Sequence, residues 1–190
     1  MKFKFTLLIT LLSIIGFAQD LASLKSESQK MLDYSISLDF EKMMDFTYPK
    51  VFDIASKDQM LEMMTNMFEN DQMSIKLEKI DPKFSFGEIK KIDKQVFCKF
   101  SHDNKMKLSF KTDIAGSEEM IVDMLKENTG ASDVSYDDKT KSFYATLRVD
   151  VLAVADDSTK NIWKFITLEK DKAMLSMLLS EDIIKQLGLN

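Results

Sequence analysis

Hydrophobic positions recur with two different periods along this chain, and the change of period divides it. From Asp20 to about Phe46 the apolar positions follow a helical spacing. Leu21, Leu24, Met31, Leu32 and Ser35 fall on one stripe, with Lys25, Glu27, Gln29 and Lys30 off it. Asp20 is the expected N-cap. The stripe blurs near Ser37, and Asp39 is placed to cap a second short helix, Phe40 to Phe46. Tyr48-Pro49 ends the helical stretch, because the residue before a proline is pushed out of the α region.

Ser56-Lys57-Asp58-Gln59 matches a capping box. Behind it Met60, Met63, Met64 and Met67 occupy i, i+3, i+4 and i+7, a single helix face that the spacing assigns to the core.

From Met73 the period becomes two. Ile75, Leu77 and Ile80 mark a first strand, Asp81-Pro82 a break, and Phe84-Ser85-Phe86 a continuation. Gln95–Ser101 and Lys105–Thr112 are expected to pair as a hairpin around His102-Asp103-Asn104. Met106, Leu108 and Phe110 alternate with lysines and Ser109, so one face is buried and one wet. A helix follows Gly116-Ser117, with Met120, Ile121, Met124 and Leu125 as its stripe, and Asn128-Thr129-Gly130 stops it. Phe143–Val154 and Ile162–Leu168 are the last long strands, separated by a turn over 156–161. The tail is helical over 172–179 and again after Ser180, whose hydroxyl and following acids suit a helix start. Helices first, antiparallel strands next and helices to one side make an α+β chain with one domain over residues 19–190.

The first eighteen residues read as a signal peptide. Lys2 and Lys4 precede an uncharged apolar run, Phe5 to Phe17, and Gly16 and Ala18 are small residues at a cleavage position. The run is too short to span a bilayer, and no cysteine follows it to carry a lipid. The expected location is therefore secreted or periplasmic, with no stable membrane anchor after cleavage behind Ala18.

Charge narrows the partners. The chain has a formal net charge of −5; removing residues 1–18 takes away two lysines and no acid. Nucleic acid and anionic membranes repel such a protein on average. Arg148 is the single arginine, so bidentate recognition of phosphate is not favoured.

The order of these segments is similar to a known family. The segment 39–50 (Asp39-Phe40-Glu41-Lys42-Met43-Met44-Asp45-Phe46-Thr47-Tyr48-Pro49-Lys50) is followed by the capped helix with Met60-Leu61-Glu62-Met63-Met64. Long strands then close on Asn161-Ile162-Trp163-Lys164-Phe165-Ile166. This resembles the nuclear transport factor 2-like superfamily, the cystatin-like cone fold shared with ketosteroid isomerase, and its secreted bacterial members in particular. The resemblance implies a strongly curved sheet around helices, a cavity inside the cone and frequent dimers through the sheet. Two segments depart from it: 114–136, an inserted helix and loop, and 171–190, a helical addition. Either is positioned to cover the open end of the cone.

Candidate chemistry is sparse. Tyr34 and Tyr48 are placed to point into a cone, and Trp163 and Phe165 share a face that would make an aromatic wall or simply core; these four are the candidate ligand-pocket residues. A ketosteroid isomerase-type site needs a buried carboxylate base beside oxyanion donors. Asp113 and Asp150 come closest, each near a strand end. His102 is the only histidine; its neighbours Ser101 and Asp103 would point to the opposite face, which is the wrong geometry for a triad, and a surface turn is the expected role. Cys98 is the single cysteine, in an alternating stretch that buries it. The methionine face has the soft donors that copper(I) favours, but its period is that of packing. The acidic turns lack the spacing of a calcium loop, and five glycines leave no phosphate-cradling loop. No cofactor and no metal is expected.

The reading these observations support first is a non-catalytic secreted or periplasmic protein that binds a small apolar ligand or a protein partner. A lyase or isomerase using Tyr34 or Tyr48 with a buried aspartate is the first alternative. A homodimeric interaction module using the open sheet face is the second.

Overall fold

The computed structural model describes residues 15–168 and 173–189, with side chains from residue 21 onward. Most of the expected signal segment, residues 1–14, lies outside the described residues. So does the expected start of the tail helix at Lys172.

The fold is α+β, with a six-stranded antiparallel sheet, curled and open. Helix α1 spans Ile15–Ile36. It begins upstream of Asp20, so that residue is not its cap; Gly16, the one weak helix former nearby, is tolerated at a cost of about 1 kcal/mol. Helix α2, Phe40–Met44, starts where expected, with the Asp39 carboxylate accepting from the Lys42 amide. Helix α3, Lys57–Phe68, carries the full capping box between Ser56 and Gln59. Its methionine face is not core, contrary to the period. Met63 is 62 % and Met67 54 % exposed, and only the start of the face, at Met60, reaches a buried cluster. A helical period fixes which residues share a side, not what covers that side.

Strands β1 (Met73–Glu78) and β2 (Ser85–Ile92) are separate. They lie end to end along one edge of β3, which runs unbroken from Gln95 to Phe110. The hairpin expected at His102-Asp103-Asn104 does not form. The turn residues there stay extended because the nearly as long β5, Ser142–Ala155, pairs with β3 from Val96–Ala155 to Ser109–Ser142, through His102–Val149 and Asn104–Leu147. Long-range pairing outweighs local turn propensity. The true turn is at Asp93-Lys94, where Asp93 takes a positive φ of 53°.

On the far edge of β5, β4 (Asp133–Asp137) pairs with Ser142–Thr146 and β6 (Lys164–Thr167) with Val151–Val154. Strand β4 lies, but for its last residue, inside the expected 114–136 helix-and-loop segment and was not legible there. Strand β6 is four residues, shorter than the strand expected over Ile162–Leu168, because the turn before it runs on to Ile162, whose amide donates to the Thr159 carbonyl at 3.1 Å. Between the flanking strands, residues 102–104 and 147–149 form ladder pairs only with each other, so the sheet narrows to a waist of two strands there, with the Asp103 amide donating to the Pro82 carbonyl at 2.6 Å.

Strand alternation sorts the core onto two faces. The front face carries Cys98, Phe100, Val151, Ala153 and Phe165 at one end, packed with Leu24 and Phe46, and Met106, Leu108, Phe143 and Ala145 at the other. Helix α4, Glu118–Thr129, closes that second end with Ile121 and Leu125, and ends at Gly130 in the left-handed region as expected. Its other expected core residues, Met120 and Met124, are exposed. The back face carries Phe97, Leu152, Val154 and Ile166. Helices α5 (Ala173–Leu178) and α6 (Glu181–Gln186) cover these through Leu175, Leu178, Leu179 and Ile184. Helices therefore occupy both faces rather than one side, and the tail packs behind the sheet instead of over an opening.

Glycine matters at one bulge. Between Phe86 and Ile89 the register of β2 shifts, and a Cβ on Gly87 would lie 2.8 Å from the Lys99 carbonyl oxygen.

Candidate functional site

On the front face, between the two halves of the core, the sheet leaves a partly enclosed cavity of about 130 Å³. Its wall is built by alternation: His102 and Asn104 of β3 and Val149 and Val151 of β5 project to the same side. Phe165 and Thr167 come from β6. Helix α1 contributes Met31 and Ser35, and Met43 of α2 and Phe46 lie beyond. The segment after α2 is fixed to the sheet edge, since the Phe165 amide donates to the Phe46 carbonyl at 2.7 Å and the Tyr48 amide to the Phe165 carbonyl at 3.0 Å.

Among the described residues that line the cavity none is charged. Apolar groups dominate, and the hydroxyl of Ser35 is already given to the Met31 carbonyl at 2.9 Å. Thr47, Asn104 and Thr167 add polar groups, and His102 is the one titratable side chain of the lining. It is not in a surface turn but 97 % buried, its ring tilted against Phe84 and stacked with Phe100. Its Nδ1 has no hydrogen-bond partner. Burial holds its pKa below the ordinary 6.5, and Arg148 adds to the lowering, while the Asp103 backbone and the Asn104 side chain oppose it. Arg148 itself lies on the back side of the same strands. Its guanidinium donates to Asp103 Oδ1 at 2.7 Å, Ser101 Oγ at 2.7 Å and the Lys83 carbonyl at 3.0 Å.

The four expected pocket residues do not converge. Phe165 lines the cavity. Tyr34 packs behind it against Phe46, ring centroids 5.8 Å apart. Trp163 is buried in the same apolar cluster, its indole donating to Ser23 Oγ at 3.1 Å. Tyr48 belongs to the back core. There its hydroxyl donates to Asp156 Oδ2 at 2.8 Å, and Gln95 Nε2 donates to the same oxygen at 2.8 Å. Asp156 Oδ1 accepts from Ser158 Oγ at 2.6 Å and the Thr159 amide at 3.1 Å. Burial raises this carboxyl's pKa, but the hydrogen bonds from Ser158, Tyr48, Gln95 and Thr159 outweigh it and hold the group below the usual 3.8. Such a saturated carboxylate is a turn-fixing group rather than a poised base.

The two aspartates singled out for acid–base work are also engaged. Asp150 faces Lys99 at 3.7 Å on the back of the sheet, and Asp113 Oδ1 accepts from the Ala115 amide at 3.0 Å. Cys98 is buried as expected, and burial pushes its thiol up to about 11. A second hollow of about 330 Å³ lies beside Lys111 and Lys141, whose ammonium groups are taken by Glu69 and Asp138. No group of three or more His, Cys, Asp or Glu side chains suited to a metal ion occurs among the described residues. No described helix is long and apolar enough to cross a membrane.

Sequence reasoning missed His102 because the Ser-His-Asp-Asn run carries turn residues. Val96, Cys98, Phe100, Met106, Leu108 and Phe110 hold one even-numbered phase across the run, but a three-residue turn that sets 100 opposite 106 keeps the same phase, so the pattern does not separate a hairpin from a continuous strand.

No model of a known protein family matches the chain, and no curated protein matches it significantly.

Proposed function

We propose that this chain is a non-catalytic secreted or periplasmic protein of nuclear transport factor 2-like type that binds a small, mainly apolar ligand. The ligand occupies the cavity between helices α1 and α2 and the front of the sheet. The leader-like N-terminus and the acidic charge support the address. The observation that carries the binding reading is the cavity itself, about 130 Å³ and walled by Met31, Met43, Phe46, Val149, Val151 and Phe165. An apolar cavity of about 150 Å³ is known to hold a single benzene ring, so the space suits a ring-sized guest rather than a steroid. The uncharged wall supports binding over catalysis, because proton transfer at a carbon or carbonyl needs an opposed acid and base.

The test is a titration of the purified protein with benzene and toluene, followed by methyl and aromatic NMR. Shifts confined to Val149, Val151 and Phe165, and their loss in Val149→Phe, are expected. Absence of saturable shifts for any ring-sized compound removes the reading. Turnover of a ketone panel by the native protein would instead bring back the isomerase alternative.

A further inference from the structure

The methionine face of α3 is a feature that packing does not account for. Met60, Met63, Met64 and Met67 hold its i, i+3, i+4 and i+7 positions, and all four are the same residue type. A helical period explains such a stripe where a core covers it, yet no residue of α3 is buried. Met63 and Met67 are more than half exposed and Met64 is half-buried; Met60 turns to the back core. Methionine is among the residues most often fully buried, so a contiguous group of them open to solvent calls for a reason. Helix formation does not supply one, since leucine serves a helix equally well. What these residues share beyond apolarity is sulfur.

We propose that Met63, Met64 and Met67 form a surface site for copper(I), held by three thioether sulfurs. This goes beyond the apolar-ligand reading and does not depend on it. Met67 lies four residues after Met63 and three after Met64, so on the helix surface each stands about 5–6 Å from it between Cβ atoms. The unbranched methionine stem, with three rotatable bonds, lets the sulfurs close on one ion. The donors select that ion. Soft thioethers favour copper(I), whereas calcium and magnesium take oxygen and zinc takes imidazole, thiolate or carboxylate. The acids within α3, Asp58 and Glu62, lie on the opposite side of the helix. Coordination uses a sulfur lone pair: no proton leaves, and the copper keeps its oxidation state. The helix that presents the sulfurs is fixed without the metal, by the Ser56–Gln59 capping box and by Phe68 against Phe40, ring centroids 5.1 Å apart.

The experiment titrates the purified protein with reduced copper under anaerobic conditions, against a coloured copper(I) chelator. The protein should withdraw one copper(I) per chain, with a shell of sulfur alone in X-ray absorption, and its Tm should rise with free copper(I). A thioether has no proton to lose, so the affinity should stay flat from pH about 5 to about 8, unlike that of a thiolate or imidazole site. Met63→Leu with Met67→Leu keeps a helix former and an apolar surface. That pair should weaken binding by more than about a hundredfold, beyond what loss of an outer-shell partner costs. Met120→Leu with Met124→Leu, at the exposed i, i+4 pair of α4, should leave the affinity unchanged. No copper(I) withdrawn from the chelator, nitrogen or oxygen in the shell, an affinity that falls with falling pH, or binding that survives Met63→Leu with Met67→Leu overturns the proposal. So does a loss caused by the α4 pair instead. None of these outcomes touches the titration with ring-sized compounds.

Discussion

The hydroxyl of Tyr48 donates to Asp156 Oδ2 at 2.8 Å across two segments far apart in sequence, and both residues are buried. The bond ties the end of β5 to the segment that follows α2. Replacing Tyr48 by Phe leaves Asp156 one donor short and should destabilise the fold by about 1–3 kcal/mol in urea titration. Burial, with the Asp156 bond, pushes the Tyr48 phenol up to about 12. The folded state thus favours the neutral phenol, and the stability it supplies is complete below pH about 10 and lost as pH rises from there toward 12. Asp156 behaves oppositely: its folded pKa is lowered, so its contribution is present above the unfolded value near 3.8 and lost as the pH falls through the folded one. Tyr48→Phe should flatten the alkaline limb. An unchanged limb in that variant would show that another group governs it.

His102 gives a second pH dependence. Its folded pKa is lowered, so the folded state favours the neutral ring. Stability from this source is full above pH about 6.5 and declines as the pH falls through that value toward the folded pKa. Denaturation midpoints should drop as the pH falls below about 6.5, and His102→Leu should remove that part of the drop. Equal slopes for the two proteins would contradict the burial of this ring.

Gly87 should tolerate no side chain. A Cβ there meets the Lys99 carbonyl oxygen at 2.8 Å, and backbone on a paired strand cannot step aside cheaply. Gly87→Ala should cost about 1–3 kcal/mol, read as a lowered Tm, whereas Gly116→Ala meets open space and bears only the cost of a positive φ of 81°. Equal losses at the two sites would count against the bulge as described.

The methionines of α3 provide a contrast. Met63 and Met67 are more than half exposed, so Met63→Gln and Met67→Gln should change stability by less than about 0.5 kcal/mol each. Leu152→Ala, on a fully buried side chain of the back core, should cost about 2–5 kcal/mol. Large losses at both methionines would mean that α3 is covered in solution.

Local signals in the sequence were strong wherever a side chain bonds its own backbone. The Asp39 and Ser180 caps, the Ser56–Gln59 box and the Gly130 stop all lie where residue type demands them. Signals failed where distant segments decide. Whether 102–104 turns or runs on depends on β5, and whether the Met60–Met67 face is core depends on what else reaches it. The placement of the candidate pocket residues was not legible for the same reason. Phe165 was legible as an inward aromatic, but Tyr48 is turned to the back core by the edge pairing of its segment with Phe165, and His102 enters the wall only because the strand does not break.

The unbroken pairing of β3 with β5 also sets an order of events during folding. Ser109 and Ser142 face each other at one end of the ladder, Val96 and Ala155 at the other, and the first pair encloses the shorter loop. Closing that loop costs the least chain entropy, and α4 and β4 lie within it, ready to form a local nucleus with Ile121, Leu125 and Val134. Zipping then proceeds past the waist to the Phe97–Val154 end, where the tail arrives last in sequence. Contacts so distant in sequence slow the search, so the half of the molecule around Phe143 should acquire its native structure first and the half around Leu152 complete it.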